Sequence, residues 1–353
     1  MERPALLNDR SRCGPRRCVP PLPFAAFASL MPVPLFLLRW PVRRFSLLTL
    51  VLAALGGAVL MGSGCHFSHL GRREGPGSET LSEATTQAEI QDSTAYLVLA
   101  AGDVAQCDSP GDEQTAALMD TLAGTVFALG DLVYPNGTAG DFQRCYEPTW
   151  GRFRDRIRAA PGNHEYRSAG ARPYYDYFGA AAGPPGLGYY SFEAGDWHVV
   201  SLNSNIPMTP RSAQGQWLQE DLRSHPAQCT LAFFHHPRFS SGPHGNSANV
   251  TPLWRMLYEA GADVVLQGHD HVYERFDPLD PDGRPDPARG IRSFVVGTGG
   301  ASTYGFMRQT PGSAYRYNRG FGVLQMRLYD DHYTWAYRTV TGQVLDRGEA
   351  TCR

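Results

Sequence analysis

Five short apolar segments of this chain each end directly in polar residues that can bind a metal ion. The polar groups are Gly102-Asp103, Gly130-Asp131, Gly162-Asn163-His164, His235-His236 and Gly268-His269-Asp270-His271. Apolar strands that alternate with helices indicate a sheet covered on both faces, and the sites of such sheets form at the carboxyl ends of the strands. The recurrence therefore predicts an α/β fold whose polar groups converge on one edge of the sheet.

Each of these polar groups on its own has a simpler structural explanation. Gly-Asp is a common turn, Asn-His is a common loop, and His-Pro commonly ends a strand. Because the pattern recurs at five strand ends, coincidence explains it poorly. A shared site is the better interpretation.

The apolar periodicity also predicts the order of the structural elements. Strands are expected at 96–100, 125–129, 157–160, 230–234 and 264–267, with a hairpin at 189–202. Helices are expected at 113–123, 214–223 and 250–260. The C-terminal part of the chain should add strands at 293–296, 322–328 and 332–338.

The candidate site combines carboxylate, amide, phenol and imidazole groups. Its residues are Asp103, Asp131, Tyr134, Asn163, His164, His235, His236, His244, His269 and His271. This mixture of oxygen and nitrogen ligands suits iron, manganese or zinc better than calcium, which binds oxygen alone. The set is too large for one ion, whereas two ions about 3.5–4 Å apart would use it to bind substrate oxygens and generate hydroxide. Such chemistry hydrolyses phosphate esters and related bonds.

The motif blocks and their order resemble those of the calcineurin-like metallophosphoesterases. Two stretches resemble the purple acid phosphatase branch in particular, in its compact single-domain form: Gly130-Asp131-Leu132-Val133-Tyr134 and Val272-Tyr273-Glu274-Arg275. The resemblance covers roughly Thr94 to Cys352. The fourth block departs from the pattern, because Ala232 stands three residues before His235 where the family usually has valine. The resemblance implies a four-layer αββα sandwich of two mixed β-sheets flanked by helices.

The resemblance also implies a role for each site residue. A first metal ion would have four ligands, Asp103, Asp131, Tyr134 and His271. A second would be held by Asp131, which bridges the two ions, and by Asn163, His235 and His269. The phenolate of Tyr134 implies Fe(III) in the first position, with Fe(II), Zn(II) or Mn(II) in the second.

The implied reaction is the hydrolysis of phosphate monoesters by a metal-bound hydroxide. His164 would bind phosphate or protonate the leaving group, and His244 matches a second substrate histidine by its spacing from His235 alone. The implied partner is a small phosphorylated substrate.

Several residues near the motifs have alternative interpretations. Tyr134 could be a core aromatic residue, and His244 a merely exposed loop residue. His235 is preferred to His236 as the ligand, because neighbouring strand residues point to opposite faces. Glu274 and Arg275 could form a structural pair or support the site. Asp270 is expected to be solvated or to accept hydrogen bonds near the site. His198, which lies on a strand, is expected to be a packed or surface residue and not a ligand.

The chemistry of the predicted metal centre leaves the substrate open. A phosphodiesterase or nucleotide-cleaving enzyme could use the same scaffold, and the loops at 134–146, 167–185 and 240–249 would decide. An exported protein that holds metal without turnover is a further alternative, which the complete ligand set disfavours. The formal net charge of −2 gives no basic field for nucleic acid.

The N-terminal part of the chain has the composition of a leader. The apolar run Phe45–Met61 follows Arg43-Arg44, a pattern typical of an export signal, and its length also suits a retained membrane anchor. Gly62-Ser63-Gly64-Cys65 resembles a lipoprotein cleavage site, and Met31 is an alternative start. We therefore expect a leader at 1–65, a flexible linker at 66–93 and a catalytic domain at 94–353 that is exported to the cell envelope or secreted.

Four of the seven cysteines fall in the expected catalytic domain, namely Cys107, Cys145, Cys229 and Cys352. An even number of cysteines in an exported domain suits two disulfides. Four cysteines can form two disulfides in three different pairings. Position along the chain favours Cys107–Cys145 with Cys229–Cys352, and buried free thiols are the alternative.

Overall fold

The computed structural model describes residues 95–353, so the expected leader (1–65) and linker (66–93) lie outside the described residues. The helices are α1 (Gly111–Asp120), α2 (Ala139–Asp141), α3 (Arg172–Phe178), α4 (Ala213–Ser224) and α5 (Thr251–Glu259). The strands are β1 (Tyr96–Ala101), β2 (Thr125–Leu129), β3 (Ile157–Ala160), β4 (Tyr190–Ala194), β5 (Trp197–Ser201), β6 (Cys229–Phe233), β7 (Val264–Gln267), β8 (Tyr273–Leu279), β9 (Ile291–Val296), β10 (Ser313–Tyr317), β11 (Gly322–Leu328), β12 (His332–Thr339) and β13 (Val344–Thr351).

The described strands form two mixed sheets. The first has six strands in the order β13-β12-β11-β1-β2-β3, in which β1, β2 and β3 run parallel. The second has seven strands in the order β10-β8-β9-β7-β6-β5-β4, with a parallel centre of β9, β7, β6 and β5. The expected fold class, α/β with two mixed sheets flanked by helices, is confirmed.

The hydrophobic core lies between the two sheets. Phe127 of β2 stacks on Phe233 of β6, with ring centroids 4.9 Å apart. Trp197 of β5 meets Tyr333 of β12 edge to face at 5.6 Å. Both faces of strands such as β2 and β6 are covered, which is why each strand has apolar residues at successive positions.

A second core covers the outer face of the seven-stranded sheet. Helix α5 buries Leu253, Trp254 and Leu257, whose spacing places them on one side of the helix, against residues such as Val265 of β7. Proline near the start of α5, at Pro252, suits the first turn of a helix because its missing N–H has no intrahelical partner there.

The carboxyl ends of strands from both sheets meet at one place. The N–H of Gly102, after β1, donates to the carbonyl of Val296 at the end of β9, over 2.9 Å. The N–H of Gly268, after β7, donates to the carbonyl of His235, also over 2.9 Å. The expectation of a single sheet edge is therefore corrected: β1, β2 and β3 of one sheet and β6 and β7 of the other together present the site.

Several elements were not predicted from the sequence, namely α2, α3, β8, β10 and β13. Their charged and proline residues hide the apolar pattern, since β8 reads YERFDPL and β13 reads VLDRGEAT. Both β10 and β13 are edge strands, where charged side chains commonly prevent pairing with another chain. The predicted helix at 113–123 begins and ends earlier, as α1.

Two disulfides confirm the favoured cysteine pairing. Cys107 is bonded to Cys145, and Cys229 at the start of β6 is bonded to Cys352 after β13. The second bridge joins residues 123 positions apart, so it ties the C-terminal end of the chain to the centre of the second sheet.

Within residues 95–353, no helix combines the length and the apolar character required to cross a bilayer.

Candidate metal centre

The backbone is strained at three of the strand-end residues. Asp103, Asp131 and His269 have φ angles of 58°, 50° and 75°, in the left-handed region that residues with a side chain seldom adopt. Among the described non-glycine residues, only Ala171 shares a positive φ. Strain of about 1–3 kcal/mol per residue persists only where surrounding structure enforces it, and it clusters at functional sites. The positive φ angles at these strand ends thus indicate a functional site independently of the side-chain chemistry.

The glycines that precede these residues let the strand ends approach closely. A Cβ atom at Gly130 would lie 2.7 Å from Nδ1 of His235, and one at Gly268 would lie 2.8 Å from Oδ2 of Asp103. Any larger residue at either position would push the candidate ligands apart.

One group of donor atoms surrounds the hydroxyl of Tyr134. That hydroxyl lies 2.9 Å from Oδ1 of Asp103, 3.2 Å from Oδ2 of Asp131 and 3.0 Å from Nε2 of His271. Burial, together with the two carboxylates, raises the pKa of Tyr134 well above its ordinary value. A single phenol hydrogen can serve only one of three acceptors, whereas a cation could be shared by all of them.

The orientation of His271 suits a metal ligand. Its Nδ1 donates a hydrogen bond to the carbonyl of Ser302 over 2.6 Å, which leaves the Nε2 lone pair facing Oδ1 of Asp103 at 3.4 Å. The ring of Tyr304 stacks on that of His271, with centroids 4.0 Å apart. A second hydrogen-bonded nitrogen is the usual means by which a ligating imidazole is oriented.

A second group of donor atoms surrounds Nε2 of His235. That nitrogen lies 3.2 Å from Oδ2 of Asp131, 3.2 Å from Oδ1 of Asn163 and 3.1 Å from Nδ1 of His269. Nδ1 of His235 donates to the carbonyl of Leu129 over 2.9 Å, so its Nε2 lone pair faces the group. Ligand atoms of Asp131, His235 and His269 all lie within 4.8 Å of one another.

Asp131 connects the two groups of donor atoms. Its Oδ2 is 3.2 Å from the hydroxyl of Tyr134 and 3.2 Å from Nε2 of His235. Although burial opposes ionisation, His235 and His164 hold the pKa of Asp131 well below its usual range. Although burial also opposes protonation of His235, Asp131 raises the pKa of that imidazole to about 9. The centre therefore favours a bound positive charge, and its oxygen and nitrogen donors suit first-row transition metals.

The ring of His236 packs beside that of His269, with centroids 4.5 Å apart, but its hydrogen bond is directed elsewhere. Its Nδ1 lies 2.8 Å from the hydroxyl of Ser204, and burial lowers the pKa of His236 to about 3. His235, the preferred ligand candidate, is the one of the pair that points at Asp131.

His164 and His244 contact different ligand candidates of the centre. The His164 ring packs 4.2 Å from that of Tyr134, and its Nε2 is 3.9 Å from Oδ2 of Asp131. The His244 ring packs 4.2 Å from that of His269 and is exposed to solvent. The seven predicted metal ligands, together with His164 and His244, therefore lie together in the structure.

Glu165 holds the two loops that carry Asp131 and Asn163, a role that was not predicted. It is fully buried, and its carboxylate accepts hydrogen bonds from the N–H groups of Asp131, Leu132, Val133 and Gly162 over 2.7–3.3 Å. Burial and the neighbouring Asp131 raise the pKa of Glu165 to about 7, against the opposing effect of these hydrogen bonds. Its position directly after Gly162-Asn163-His164 was the available signal.

Two further carboxylates hold the loop that carries His244. Asp270 is fully buried and accepts hydrogen bonds from the N–H groups of His244 and Gly245 over 3.0 and 3.2 Å, so the solvated alternative is wrong. Glu274 accepts from the N–H and hydroxyl of Ser241 over 2.7 and 2.6 Å.

The anticipated structural pair of Glu274 with Arg275 does not form. Arg275 instead donates to Asp346 of β13 over 2.8 Å.

A separate group of His198, Asp221 and His225 lies away from this centre. His198 is buried, with Nδ1 2.9 Å from Glu193 and Nε2 2.9 Å from Asp221. The rings of His198 and His225 are parallel within 5° and 5.1 Å apart, so their nitrogen lone pairs lie in parallel planes and do not converge on one ion. We interpret this group as a buried ion pair, in agreement with the expected packing role of His198.

His198 should make stability depend on pH. Although burial opposes protonation, the hydrogen bonds that the ring of His198 donates to the carboxylates of Asp221 and Glu193 raise its pKa above the ordinary value. The stabilisation is therefore fully present below about pH 6.5 and is lost as the pH rises through the folded-state pKa. We expect the free energy of unfolding, measured by urea denaturation, to decline over that range. The decline should be smaller in His198→Gln and unchanged in His332→Gln, and equal slopes in all three proteins would contradict the interpretation.

Comparisons with known proteins agree with this geometry. A family model described as calcineurin-like phosphoesterase matches residues 66–273. Purple acid phosphatase 21 of Arabidopsis thaliana is 34% identical over 160 residues, which is 42% of this chain and 36% of the relative. Purple acid phosphatase 15 of the same plant is 28% identical over 187 residues, which is 42% of this chain and 35% of the relative. The matches thus span little more than a third of either relative's length.

A solved structure supports the fold. The purple acid phosphatase from seeds of yellow lupin (Lupinus luteus) superposes with a TM-score of 0.60 at 20% identity. The superposition covers 73% of this chain and 54% of the lupin chain.

Proposed function

Because the chain belongs to the calcineurin-like phosphoesterase family, we propose that it is a dinuclear-metal hydrolase that cleaves phosphate monoesters. The family implies two metal ions. The observation that carries the proposal is the carboxylate of Asp131, which joins two groups of donor atoms, one around Tyr134 and one around His235. A binding protein without turnover would not require His164 and His244 beside such a centre.

Seven residues would hold the two ions: Asp103, Asp131, Tyr134, Asn163, His235, His269 and His271. Bound ions would supply Lewis-acid activation of water and of phosphate oxygens. We infer Fe(III) beside Tyr134, because a phenolate is a hard anionic ligand, and Fe(II), Zn(II) or Mn(II) beside His235.

The metal assignment predicts a visible absorption band. A Tyr134 phenolate bound to Fe(III) should give a charge-transfer band, which Tyr134→Phe should abolish while Tyr304→Phe retains it. Absorption spectra with metal analysis of the purified proteins would test this. A fully active, colourless wild-type protein would instead indicate two divalent ions.

We propose that His164 acts on the leaving group. Its Nδ1 donates to the carbonyl of Pro135 over 2.6 Å, which turns Nε2 towards the centre. Protonated at Nε2, the ring can donate a proton to the departing alcohol oxygen or hydrogen-bond a phosphate oxygen.

We expect His164→Ala to keep its metal content and to lose about 10²-fold in kcat, a typical contribution of general acid catalysis. Steady-state kinetics with metal analysis would measure both quantities, with His332→Ala as a control that keeps normal kcat. Unchanged kcat in His164→Ala would remove this residue from the mechanism.

Paired substrates test the proposed function against its nearest rival. The purified chain should hydrolyse p-nitrophenyl phosphate far faster than bis-p-nitrophenyl phosphate, in a reaction abolished by chelators and restored by added metal. Faster cleavage of the diester would assign the chain as a phosphodiesterase. The geometry of the metal centre is compatible with that activity as well. Metal binding without turnover of either compound would refute a hydrolytic function.

We also propose that the chain is exported, to the cell envelope or as a secreted protein. Two disulfides support this location, because such bonds persist mainly in oxidising compartments. The expected leader at 1–65, with its basic and apolar segments, supports it as well. Fractionation of cells that express the tagged chain would test export, and recovery only from the cytoplasm would refute it.

A further inference from the structure

A groove of about 950 Å³ lies beside the metal centre. Its floor is the edge strand β10, and its walls include Phe306, Asn318 and Gln343. The expected site residues do not line it, and its chemistry is separate from theirs. It is open to solvent along the exposed edge of the seven-stranded sheet.

The near end of the groove is joined to the centre by direct contacts. Asn318 donates its side-chain N–H to the carbonyl of Tyr304 over 2.8 Å, and Tyr304 stacks on His271. Tyr317 of β10 pairs with Tyr273, two residues beyond His271. A bound phosphate ester is therefore within reach of this end of the groove.

The groove is cationic. Arg316 and Arg319 line it and are exposed, and no aspartate or glutamate is among its described lining residues. Arg316 donates to the carbonyl of Arg308 over 3.2 Å and lies over the ring of Phe306, so both contacts are with uncharged groups. Within residues 95–353, Arg319 has no hydrogen bond or ion pair.

The carboxylate opposite Arg316 attracts it electrostatically but is hydrogen-bonded to other groups. Glu274 pairs with Arg316 across β8 and β10, but its carboxylate accepts hydrogen bonds from Ser241 and Ser313. Two guanidinium groups thus face a solvent-filled groove without carboxylate partners among the described residues. Guanidinium groups bind carboxylate and phosphate oxygens strongly, often through two parallel hydrogen bonds.

We propose that this groove binds a second anionic group on the leaving-group side of a small phosphorylated substrate, through Arg316 and Arg319. The inference rests on the proposed phosphatase function and specifies its substrate class. Such a substrate is an organic phosphate ester that carries a further phosphate or carboxylate several bonds from the phosphorus that is attacked. The two arginines are specificity-determining residues and take no part in bond cleavage.

A matched pair of substrates isolates the second anionic group. Hexyl phosphate and hexane-1,6-diol bisphosphate share the same leaving chain and differ only in the distal phosphate. We expect wild-type protein to prefer the bisphosphate in kcat/KM by about tenfold or more, beyond the factor of about two for its two equivalent ends. The preference should appear mainly in KM and should weaken with added salt, because exposed charges are screened.

Variants of Arg316 and Arg319 would test whether the preference for the bisphosphate arises in the groove. Arg316→Gln and Arg319→Gln should each lower it several-fold, and the double variant should abolish it, whereas Arg316→Lys should retain part of it. Arg223→Gln removes an equal charge from helix α4, outside the groove, and should retain the full preference. Hydrolysis of hexyl phosphate should stay within about twofold of wild type in every variant, because neither arginine touches the metal centre.

The outcomes separate this inference from the proposed function. The groove assignment would be overturned if wild-type protein did not prefer the bisphosphate, or if the double variant kept that preference. Hydrolysis of hexyl phosphate would still support a phosphatase in either case. A stronger preference for acidic phosphopeptides than for the bisphosphate would overturn the assignment to a small substrate. Failure to hydrolyse either ester with any metal would overturn the proposed function itself.

Discussion

We expect Asp131→Asn to lose both metal ions and to lower kcat by about 10³-fold or more. Replacing a residue that only orients a metal ligand already lowers metal affinity or activity by about 10–100-fold, and Asp131 is a proposed ligand of both ions. The Asp131 carboxylate reaches both groups of donor atoms, at 3.2 Å from the hydroxyl of Tyr134 and 3.2 Å from Nε2 of His235. Asparagine removes the negative charge and one acceptor oxygen, so neither ion keeps its shared anionic ligand. Metal analysis and p-nitrophenyl phosphate kinetics would measure the two losses.

The choice of asparagine separates chemistry from folding. Asp131 has a φ of 50°, a conformation that asparagine tolerates better than alanine does, so Asp131→Asn should fold where Asp131→Ala carries added strain. His236→Gln is the matched control, because His236 lies beside the centre but points at Ser204. It should retain both ions. Full activity with two ions per chain in Asp131→Asn would refute the dinuclear interpretation.

Glu165→Ala should destabilise the fold by about 4 kcal/mol, because it leaves four buried N–H groups without an acceptor at about 1–3 kcal/mol each, offset in part by relief of repulsion with Asp131. Those N–H groups belong to the two loops that carry Asp131 and Asn163. The loss should therefore appear both as a lower urea midpoint and as weaker metal retention.

Measurements on metal-free protein would show that the effect of Glu165 belongs to the fold. Glu165→Gln retains one acceptor oxygen and should lose about half as much stability. Glu349→Ala, at an exposed position of β13, should change the free energy of unfolding by no more than about 0.5 kcal/mol. If Glu165→Ala unfolded at the wild-type midpoint without metal, the proposed support of the two loops would be wrong.

Much of the fold and the candidate site could be predicted because the relevant information is local in the chain. Strands β1, β2, β3, β6 and β7 are mainly apolar, and the polar residues of each motif follow within a few positions. The family model confirms the family that those motifs resemble. The edge strands β10 and β13 were missed because a strand with one partner and a solvated face needs no apolar run.

The supporting residues were harder to predict because their partners are distant in the sequence. The carboxylate of Glu165 serves a loop more than 30 residues earlier. Asp270 and Glu274 were singled out only as members of the last motif, yet both hold the loop around Ser241 and His244. No local pattern shows which buried N–H groups a carboxylate will meet, since that depends on the packing of the two sheets.

The sequence by itself determined which residues could bind metal, the order of their motifs and the strand ends that present them, because residue type and strand periodicity are properties of neighbouring positions. Only the tertiary structure decided that two sheets share the centre, through contacts such as that of Gly102 with Val296. It also decided which of the two histidines after β6 points at Asp131, and that Arg316 of β10 and Arg319 shortly after it line one groove. These outcomes depend on the face-to-face packing of strands far apart in the chain, which buries the cores on both sides of the second sheet.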